Sequence, residues 1–184
     1  MHLRALMLLF LLALVSRLPA QRPGALAFPQ DWTGTWAGTL RIYNAKGLAD
    51  SVLMQLEIHP IDTSASGRYT FGIVYGSKEK DWRPYELVPV APERGRWQVD
   101  EKNSIVIESF LYGPKFMSWF VVLGSRLLCT YERVGADTLV FEVYSGPDRS
   151  ISTTGNTMHE GEEIPEVQTF PLAVFQRAVL KRQP

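Results

Sequence analysis

Side chains suited to acid–base chemistry are few in this chain, which has three histidines among its 184 residues. His59 lies two residues after Glu57. In a β-strand these two side chains would share a face, so the carboxylate could orient the imidazole for proton transfer. Such a pair is more often an exposed or structural contact near a strand end. We therefore keep Glu57 and His59 as the catalytic alternative and predict that the protein is not an enzyme.

A second histidine, His159, begins the acidic run His159–Glu163. The run places candidate metal ligands side by side, but it lacks the helical spacing of the His-Glu-x-x-His zinc motif. His159 is also the only loop residue that could serve as the axial ligand of a haem group. A solvated acidic loop accounts for the run more simply, so we expect no metal site and no cofactor.

The single cysteine, Cys129, lies in an apolar run, Leu-Leu-Cys-Thr-Tyr. A free cysteine in such a run usually behaves as a small buried hydrophobe. A lone cysteine forms no intramolecular disulfide, so stability must come from the core. The chain also has no Gly-x-Ser-x-Gly elbow and no glycine-rich phosphate loop.

The elements that would position these residues are strands. From Trp32 onward, apolar and polar residues alternate with a period of two, which is typical of half-buried strands and fits no helix. Turn residues such as Asn44–Gly47 separate the apolar runs at a spacing typical of a sandwich or barrel. The pattern predicts ten strands, at 34–44, 51–60, 67–76, 83–90, 94–99, 104–112, 116–123, 126–134, 137–145 and 167–181.

The amino-terminal residues have the features of a signal peptide. Arg4 precedes an uninterrupted apolar run, Ala5–Val15, which is shorter than the roughly 20 residues that a membrane span requires. Cleavage is expected after Ala20, or alternatively after Ala27. We therefore predict a signal peptide at 1–20, an irregular leader at 21–30 and a single domain at 31–184.

The charge of the mature chain is nearly balanced. Removal of residues 1–20 takes away Arg4 and Arg17, which leaves 17 basic and 19 acidic side chains and a net charge of −2. No basic stripe is present to neutralise a phosphate backbone, so nucleic acid is not an expected partner. No cysteine lies just after the apolar run to carry a lipid, since Cys129 is far downstream, and no later run is long enough to span a bilayer. We expect a secreted or periplasmic protein with no membrane span in its mature form.

The two ends of the domain carry a family resemblance. Gly34-Thr35-Trp36 opens the first predicted strand, and Arg177 and Arg182 lie in the last. A Gly-x-Trp start with a basic closing strand resembles the calycin superfamily, the lipocalins and their relatives. That resemblance implies that Trp36 packs across one end of a barrel and that Arg177 lies over it, where an arginine gains a cation–π contact.

The resemblance also covers much of the mature chain. The runs DWTGTWAG, RPYEL, DEKNSIVIE and QRAVLKR are similar to a group of uncharacterised exported bacterial proteins with a lipocalin-like barrel. We therefore predict an all-β fold, an antiparallel up-and-down β-barrel of about ten strands.

Two tight turns predict which residues face one another. A two-residue turn at Gly113-Pro114 places Ser109 opposite Ser118, and one at Gly124-Ser125 places Ser118 opposite Tyr131. Cross-strand partners share a face of the sheet. A longer Gly-Pro loop would reverse the faces. The two turns together predict one set on a single face: Ile107, Ser109, Ser118, Phe120, Cys129 and Tyr131.

This face allows two interpretations of the barrel interior. In one, the small residues Ser109 and Ser118 leave room, and Tyr69, Tyr75 and Tyr131 provide polar groups for a small apolar or amphipathic ligand. In the other, phenylalanines fill the core, and the protein is an interaction or structural module.

The ligand-binding interpretation is our leading hypothesis. It predicts a cavity of a few hundred cubic ångströms that opens near the polar segment 146–166, which could be a rim over the opening or only a solvated connection. The alternative would use an edge strand or outward-facing Trp82, Trp97 and Trp119 as a docking surface. Oligomeric state does not follow from the sequence.

Overall fold

The computed structural model describes residues 27–61 and 66–184, so the predicted signal peptide and most of the leader lie outside it. The described residues form fourteen strands and two short 3-10 turns, at Gln30–Trp32 and Pro92–Arg94. No helix in these residues is long and apolar enough to cross a membrane. Ten strands form the main sheet: β1 Gly34–Asn44, β2 Gly47–Ile58, β3 Tyr69–Tyr75, β4 Trp82–Ala91, β5 Arg96–Asp100, β6 Val106–Tyr112, β7 Lys115–Val122, β8 Ser125–Gly135, β9 Thr138–Pro147 and β14 Val174–Arg182.

These ten strands close into an antiparallel barrel in the order β1-β14-β9-β8-β7-β6-β5-β4-β3-β2. Each strand pairs with its neighbour in the chain, and the first strand also pairs with the last, where Trp36 lies opposite Arg182. Closure leaves the sheet without a free edge strand. The predicted all-β barrel of about ten antiparallel strands is confirmed.

The last predicted strand, 167–181, is wrong in its first half. Residues Val167–Thr169 form a short strand, β13, that pairs outside the barrel, and the barrel strand begins only at Val174. Pro171 lies between the two. Proline has no backbone N–H to donate to a ladder, which explains why one continuous strand does not form there.

The polar segment 146–166 is more ordered than the predicted loop. Three further short strands lie in it, β10 Ser152–Thr154, β11 Thr157–His159 and β12 Glu162–Ile164. β10 pairs with β13, and β11 pairs with β12. The segment 148–173, called the arm below, is thus a narrow β-ribbon that connects β9 to β14.

The core lies at one end of the barrel, called the closed end below. Trp36 is fully buried there, and Trp32 is 1% exposed. Phe28 packs against this end, with its ring centroid 5.0 Å from Trp32 and 4.9 Å from Phe116. The folded unit therefore starts before the predicted boundary at residue 31, because the Phe28 ring is part of the apolar packing.

Two arginines lie against the Trp36 ring. The guanidinium carbons of Arg182 and Arg133 are 4.4 Å and 4.7 Å from the ring centroid. Arg182 donates to the carbonyl oxygens of Thr33 and Asp31, and Arg133 donates to that of Asp31. The Trp36 Nε1–H itself donates to the carbonyl of Trp32 at 2.9 Å.

The arginine over Trp36 is therefore Arg182, and the implied pairing with Arg177 is wrong. Ala178 and Leu180 of β14 are buried, so Arg182 has the inward parity and Arg177 has the outward one. On the outer surface Arg177 pairs with Glu142 of β9, with 3.1 Å between Nε and Oε1.

Candidate functional site

The other half of the barrel is not filled by side chains. It holds a cavity of about 340 Å³, in line with the predicted few hundred cubic ångströms. Cavities of this size with mainly apolar walls are typical small-ligand sites. Inward-facing residues from several strands form the apolar wall, among them Leu40, Ile42, Phe71, Ile73, Phe141 and Val143.

The cavity has its polar lining at the end opposite Trp36, called the mouth below. Tyr75 at the end of β3, Arg83 and Tyr85 near the start of β4, and Asp81 and Glu101 just outside the strands form this lining. The arm leaves β9 and enters β14 at the same end. The predicted opening near segment 146–166 agrees with this arrangement.

An ion pair organises one side of the mouth. Arg83 binds Asp81 with both Nε and Nη2, at 3.1 Å and 3.0 Å from the two carboxylate oxygens. Its guanidinium carbon lies 4.8 Å from the centroid of the Tyr75 ring. The hydrogen bond to Asp81 raises the pKa of Arg83 above its ordinary value, so the guanidinium stays charged.

Burial keeps the phenols and the thiol of the cavity neutral. It raises the pKa of Tyr75 to about 12 and the pKa of Cys129 to about 12. Burial also raises the pKa of Tyr131 well above its ordinary value. For Tyr85, burial is the main cause of a raised pKa, and the Glu101 carboxylate beside it is the next. These groups can therefore offer hydrogen bonds to a ligand at neutral pH without adding negative charge.

Three of the predicted ligand-binding residues line the cavity: Tyr75, Ser118 and Tyr131. Ser109 faces inward but is fully buried, and its hydroxyl lies 2.7 Å from that of Ser118. Tyr69 packs against the core at the start of β3, the end opposite the mouth. The structure thus brings Tyr75, Ser118 and Tyr131 into one cavity and leaves Ser109 and Tyr69 in the surrounding packing.

The cross-strand pairing was predicted correctly at one turn and not at the other. Ser109 lies opposite Ser118, as the turn at Gly113-Pro114 predicts. In the next hairpin Ser118 lies opposite Cys129 rather than Tyr131. The turn is made by Leu123 and Gly124, which both have positive φ, so it starts one residue earlier than predicted. Each partner moves by two residues, and the predicted face is unchanged.

The polar residues of the mouth were missed by the sequence reasoning. Asp81, Arg83 and Tyr85 share the inward parity of Leu87 in β4, which is fully buried. That shared parity is a signal that the sequence does contain. Polar side chains at inward positions near a strand end indicate the rim of a barrel, and the predicted strand 83–90 already contained Arg83 and Tyr85.

The residues of the catalytic and metal alternatives lie elsewhere. Glu57 forms an ion pair with Lys78, with 2.7 Å between Oε1 and Nζ, and His59 is exposed at the end of β2. His159 is exposed in the arm. Glu57, His59 and His159 are all absent from the lining of the barrel cavity. Among residues 27–61 and 66–184, no three His, Cys, Asp or Glu side chains are grouped to hold a metal ion.

The barrel wall is open between β6 and β7 near the mouth. Their pairing stops at Ser109–Ser118, and the remaining residues, 106–108 and 119–122, diverge. A second cavity of about 470 Å³ lies there and shares Glu101, Ile107 and Phe120 with the first.

Of the three tryptophans predicted to face outward, Trp119 and Trp82 are 69% and 49% exposed. Trp119 lies beside the opening between β6 and β7. Trp97 is only 3% exposed, so the prediction for it is wrong. Its ring packs on Phe28, at 5.2 Å between centroids, as part of the closed end.

The fold is a closed antiparallel barrel of ten strands with lipocalin-like architecture, and it encloses a cavity. The chain matches no protein-family model, and no curated protein is significantly similar in sequence. A protein of unknown function from the DUF3598 family of Nostoc punctiforme has a TM-score of 0.58 at 13% identity, over 89% of this chain and 53% of that one. This chain thus spans about half the length of that protein. An S-type phycobiliprotein lyase from Guillardia theta has a TM-score of 0.53 at 9% identity, over 84% of this chain and 90% of that one.

Proposed function

We propose that this protein binds a small apolar or amphipathic ligand inside its barrel. The observation that carries the proposal is the cavity of about 340 Å³, with apolar walls and polar groups confined to one end. A filled core would have phenylalanine rings in this space, because protein interiors pack densely. An apolar body in the cavity and a polar group at the mouth would satisfy both parts of the lining.

The fold neighbours are compatible with this proposal. The lyase is named for phycobiliproteins, and it has the same kind of barrel. Identities of 13% and 9% relate the folds only, so the support for ligand binding comes from the cavity itself.

A pair of variants on one strand tests the proposal. Val143→Phe adds a ring at the cavity wall, whereas Val140→Phe adds the same ring to the outer face of β9. We expect Val143→Phe to weaken binding of an apolar fluorescent dye such as N-phenylnaphthylamine at least about tenfold, because it removes ligand volume. Val140→Phe should bind the dye like the unmodified protein.

The proposal also predicts a retained ligand. Native mass spectrometry of protein purified from its own host should show added mass that Val143→Phe lacks. Absence of dye binding to the unmodified protein, or equal binding by both variants, would contradict ligand binding in the barrel.

A second function, protein–protein interaction, is favoured by one specific observation. Trp119, Val121 and Val106 are each half or more exposed, and they lie on the outer face beside the opening between β6 and β7. Contiguous exposed apolar residues of this kind often mark interaction sites. If this face binds a partner, Trp119→Ser should abolish an association seen by sedimentation velocity, whereas Trp82→Ser should not.

We propose binding without catalysis as the role of the barrel. Glu57 is engaged by Lys78, and its Oε2 accepts a hydrogen bond from Nζ at 2.9 Å. The pair Glu57–His59 lies at the end of β2 and outside the cavity lining. Glu57→Gln and His59→Ala should therefore leave dye binding unchanged.

We also propose that the protein is exported, with cleavage after Ala20. Support comes from Ala27, whose N–H donates to Asp31 Oδ2 at 2.6 Å and whose carbonyl accepts from the Asp31 N–H at 2.8 Å. Cleavage after Ala27 would remove these contacts beside Phe28. Amino-terminal sequencing of the mature protein distinguishes the two sites, and a mature protein that retains Met1 would contradict export through cleavage.

A further inference from the structure

We infer that the mouth selects an amphipathic ligand whose polar end is a cation or a hydrogen-bond donor, and that Glu101 is the residue that determines this preference. The inference rests on the proposed binding of a ligand in the barrel and specifies the chemistry of that ligand. It follows from the charges that line the cavity.

The charged lining of the cavity is acidic in balance. It consists of Asp81, Arg83 and Glu101. The phenols and the thiol contribute no charge at neutral pH, because burial raises the pKa of Tyr75 and of Cys129 to about 12. Two carboxylates and one guanidinium therefore face the ligand site, with a net charge of −1.

Arg83 is poorly placed to receive an anion. The Nε and Nη2 atoms of Arg83 already donate hydrogen bonds to Asp81. The guanidinium carbon of Arg83 lies 4.8 Å from the centroid of the Tyr75 ring. A ligand carboxylate would compete with Asp81 for the guanidinium and would also approach Glu101. Bidentate arginine–carboxylate pairs are among the stronger polar contacts in proteins.

Glu101 is the carboxylate left without a basic partner. Within the described ranges, no lysine or arginine lies at ion-pair distance from Glu101, whereas nearby Lys102 pairs with Glu86 at 3.1 Å. The side chains in contact with the carboxylate are neutral: the Tyr85 phenol, which hydrogen-bonds to it, and the Asn103 amide, whose Nδ2 lies 3.3 Å from Oε2. Glu101 also lines both the barrel cavity and the opening between β6 and β7, so a ligand that enters by either route passes it.

The wall below the mouth is apolar, so it favours an apolar body for the ligand. Ile107, Phe120 and Leu127 lie in the lining between the mouth and the deeper Phe141. In this low-polarity space an ammonium group would be attracted to Glu101 more strongly than in bulk water, and a carboxylate would be repelled. The structure therefore fits an alkyl or aryl amine better than a fatty acid.

Three unbranched probes of ten carbon atoms each test this inference: decylamine, decanol and decanoate. Each is titrated against N-phenylnaphthylamine bound to the protein, at neutral pH and low ionic strength, and the loss of dye fluorescence is measured. We expect decylammonium to bind at least about tenfold more tightly than decanoate, with decanol between them. In Glu101→Gln the amine-to-carboxylate ratio should fall about tenfold, and decanol affinity should change much less, because the glutamine oxygen still accepts a hydrogen bond from a hydroxyl.

Two further variants separate the effect of a charge at the mouth from the effect of a change in the net charge of the protein. Asp81→Asn releases the Arg83 guanidinium, so it should raise decanoate affinity. Glu93→Gln removes a carboxylate that is exposed in the turn after β4, at the other end of the barrel, and should leave all three affinities unchanged.

The outcomes distinguish this inference from the proposed function. If decanoate binds as tightly as decylammonium, or if Glu101→Gln leaves the ratio unchanged, the inference is wrong and ligand binding stands. If none of the three probes displaces the dye, or the dye itself does not bind, both are wrong.

Discussion

At the scale of single residues, two arginine side chains cover one end of the barrel. Arg182 and Arg133 lie over Trp36 and donate to backbone carbonyl oxygens of the segment that precedes β1. Arg133 also donates to the carbonyls of Gly135 and Ala136. These arginines therefore satisfy several backbone acceptors and cover the indole ring at the same time, which lysine could not do because it lacks the planar fork of donors.

The closing contacts give a prediction for Arg182. Arg182→Ala removes two charge-assisted hydrogen bonds and the contact with Trp36, so it should lower the free energy of unfolding by about 2–3 kcal/mol. Arg177→Ala removes a surface ion pair with Glu142 and should cost less than about 1 kcal/mol. Trp36→Ala should exceed both, at about 3–5 kcal/mol. Urea unfolding measures the three values, and equal costs for Arg182→Ala and Arg177→Ala would contradict this arrangement.

At the scale of elements, barrel closure depends on a close approach between β1 and β14. Gly38 lies on β1 between Trp36 and Leu40. A Cβ atom at Gly38 would lie 2.2 Å from the carbonyl oxygen of Val179 on β14. No side chain fits there without separation of the two strands that close the barrel, so glycine is required by close approach and not by its φ angle.

Gly38→Ala should therefore destabilise the protein far more than Gly135→Ala at the end of β8. We expect a loss of several kcal/mol, in the range of severe steric mutations, about 3 kcal/mol or more. Gly135→Ala is the matched control, because a Cβ at Gly135 meets no atom within 4 Å. Thermal unfolding of the two variants compares them directly, and a Tm for Gly38→Ala equal to that of Gly135→Ala would show that β1 and β14 are not in this register.

At the scale of the whole molecule, the cavity links stability to pH. Burial raises the pKa of Cys129 from 9.0 and that of Tyr75 from 10.0, in each case to about 12. The unfolded chain therefore releases these protons at a lower pH than the folded protein does. Stability should be at its full value below about pH 9 and should fall as the pH rises from there to about 12.

Each of these groups contributes a slope of up to about 1.4 kcal/mol per pH unit within its window. Urea unfolding between pH 8 and pH 11 measures the slope. Tyr75→Phe should reduce it, since one of the groups is removed, whereas Tyr112→Phe on the exposed end of β6 should not. Stability that does not change over this range would mean that water reaches the cavity groups freely.

Much of the fold was predictable because its signals are local. The alternation around Trp36 and Leu40 and the turn residues at Gly113-Pro114 indicate strands and hairpins without reference to the rest of the chain. The errors have equally local causes. The hairpin after β7 turns on Leu123 and Gly124, and a leucine with positive φ, here 49°, is not a turn residue that sequence patterns indicate.

The candidate site was predictable only in part. The face that carries Ser118 and Tyr131 followed from hairpin parity, and both residues line the cavity. Glu101 follows β5 and Arg83 lies near the start of β4, and the antiparallel pairing of these two strands brings both residues to one rim. Which side chains then face the cavity depends on the register of this pair, which shifts between Pro89 and Ala91.

The sequence by itself determined the ten barrel strands but not the short strands of the arm, and it determined the antiparallel order and the faces of the hairpins, because period and turn chemistry are properties of neighbouring residues. Only the tertiary structure decided that Arg182 rather than Arg177 covers Trp36, since that depends on the register between the first and last strands. It also decided that the interior is partly empty. The free volume inside a barrel depends on how side chains from all ten strands pack against one another across it. A pattern of neighbouring residues does not contain this information.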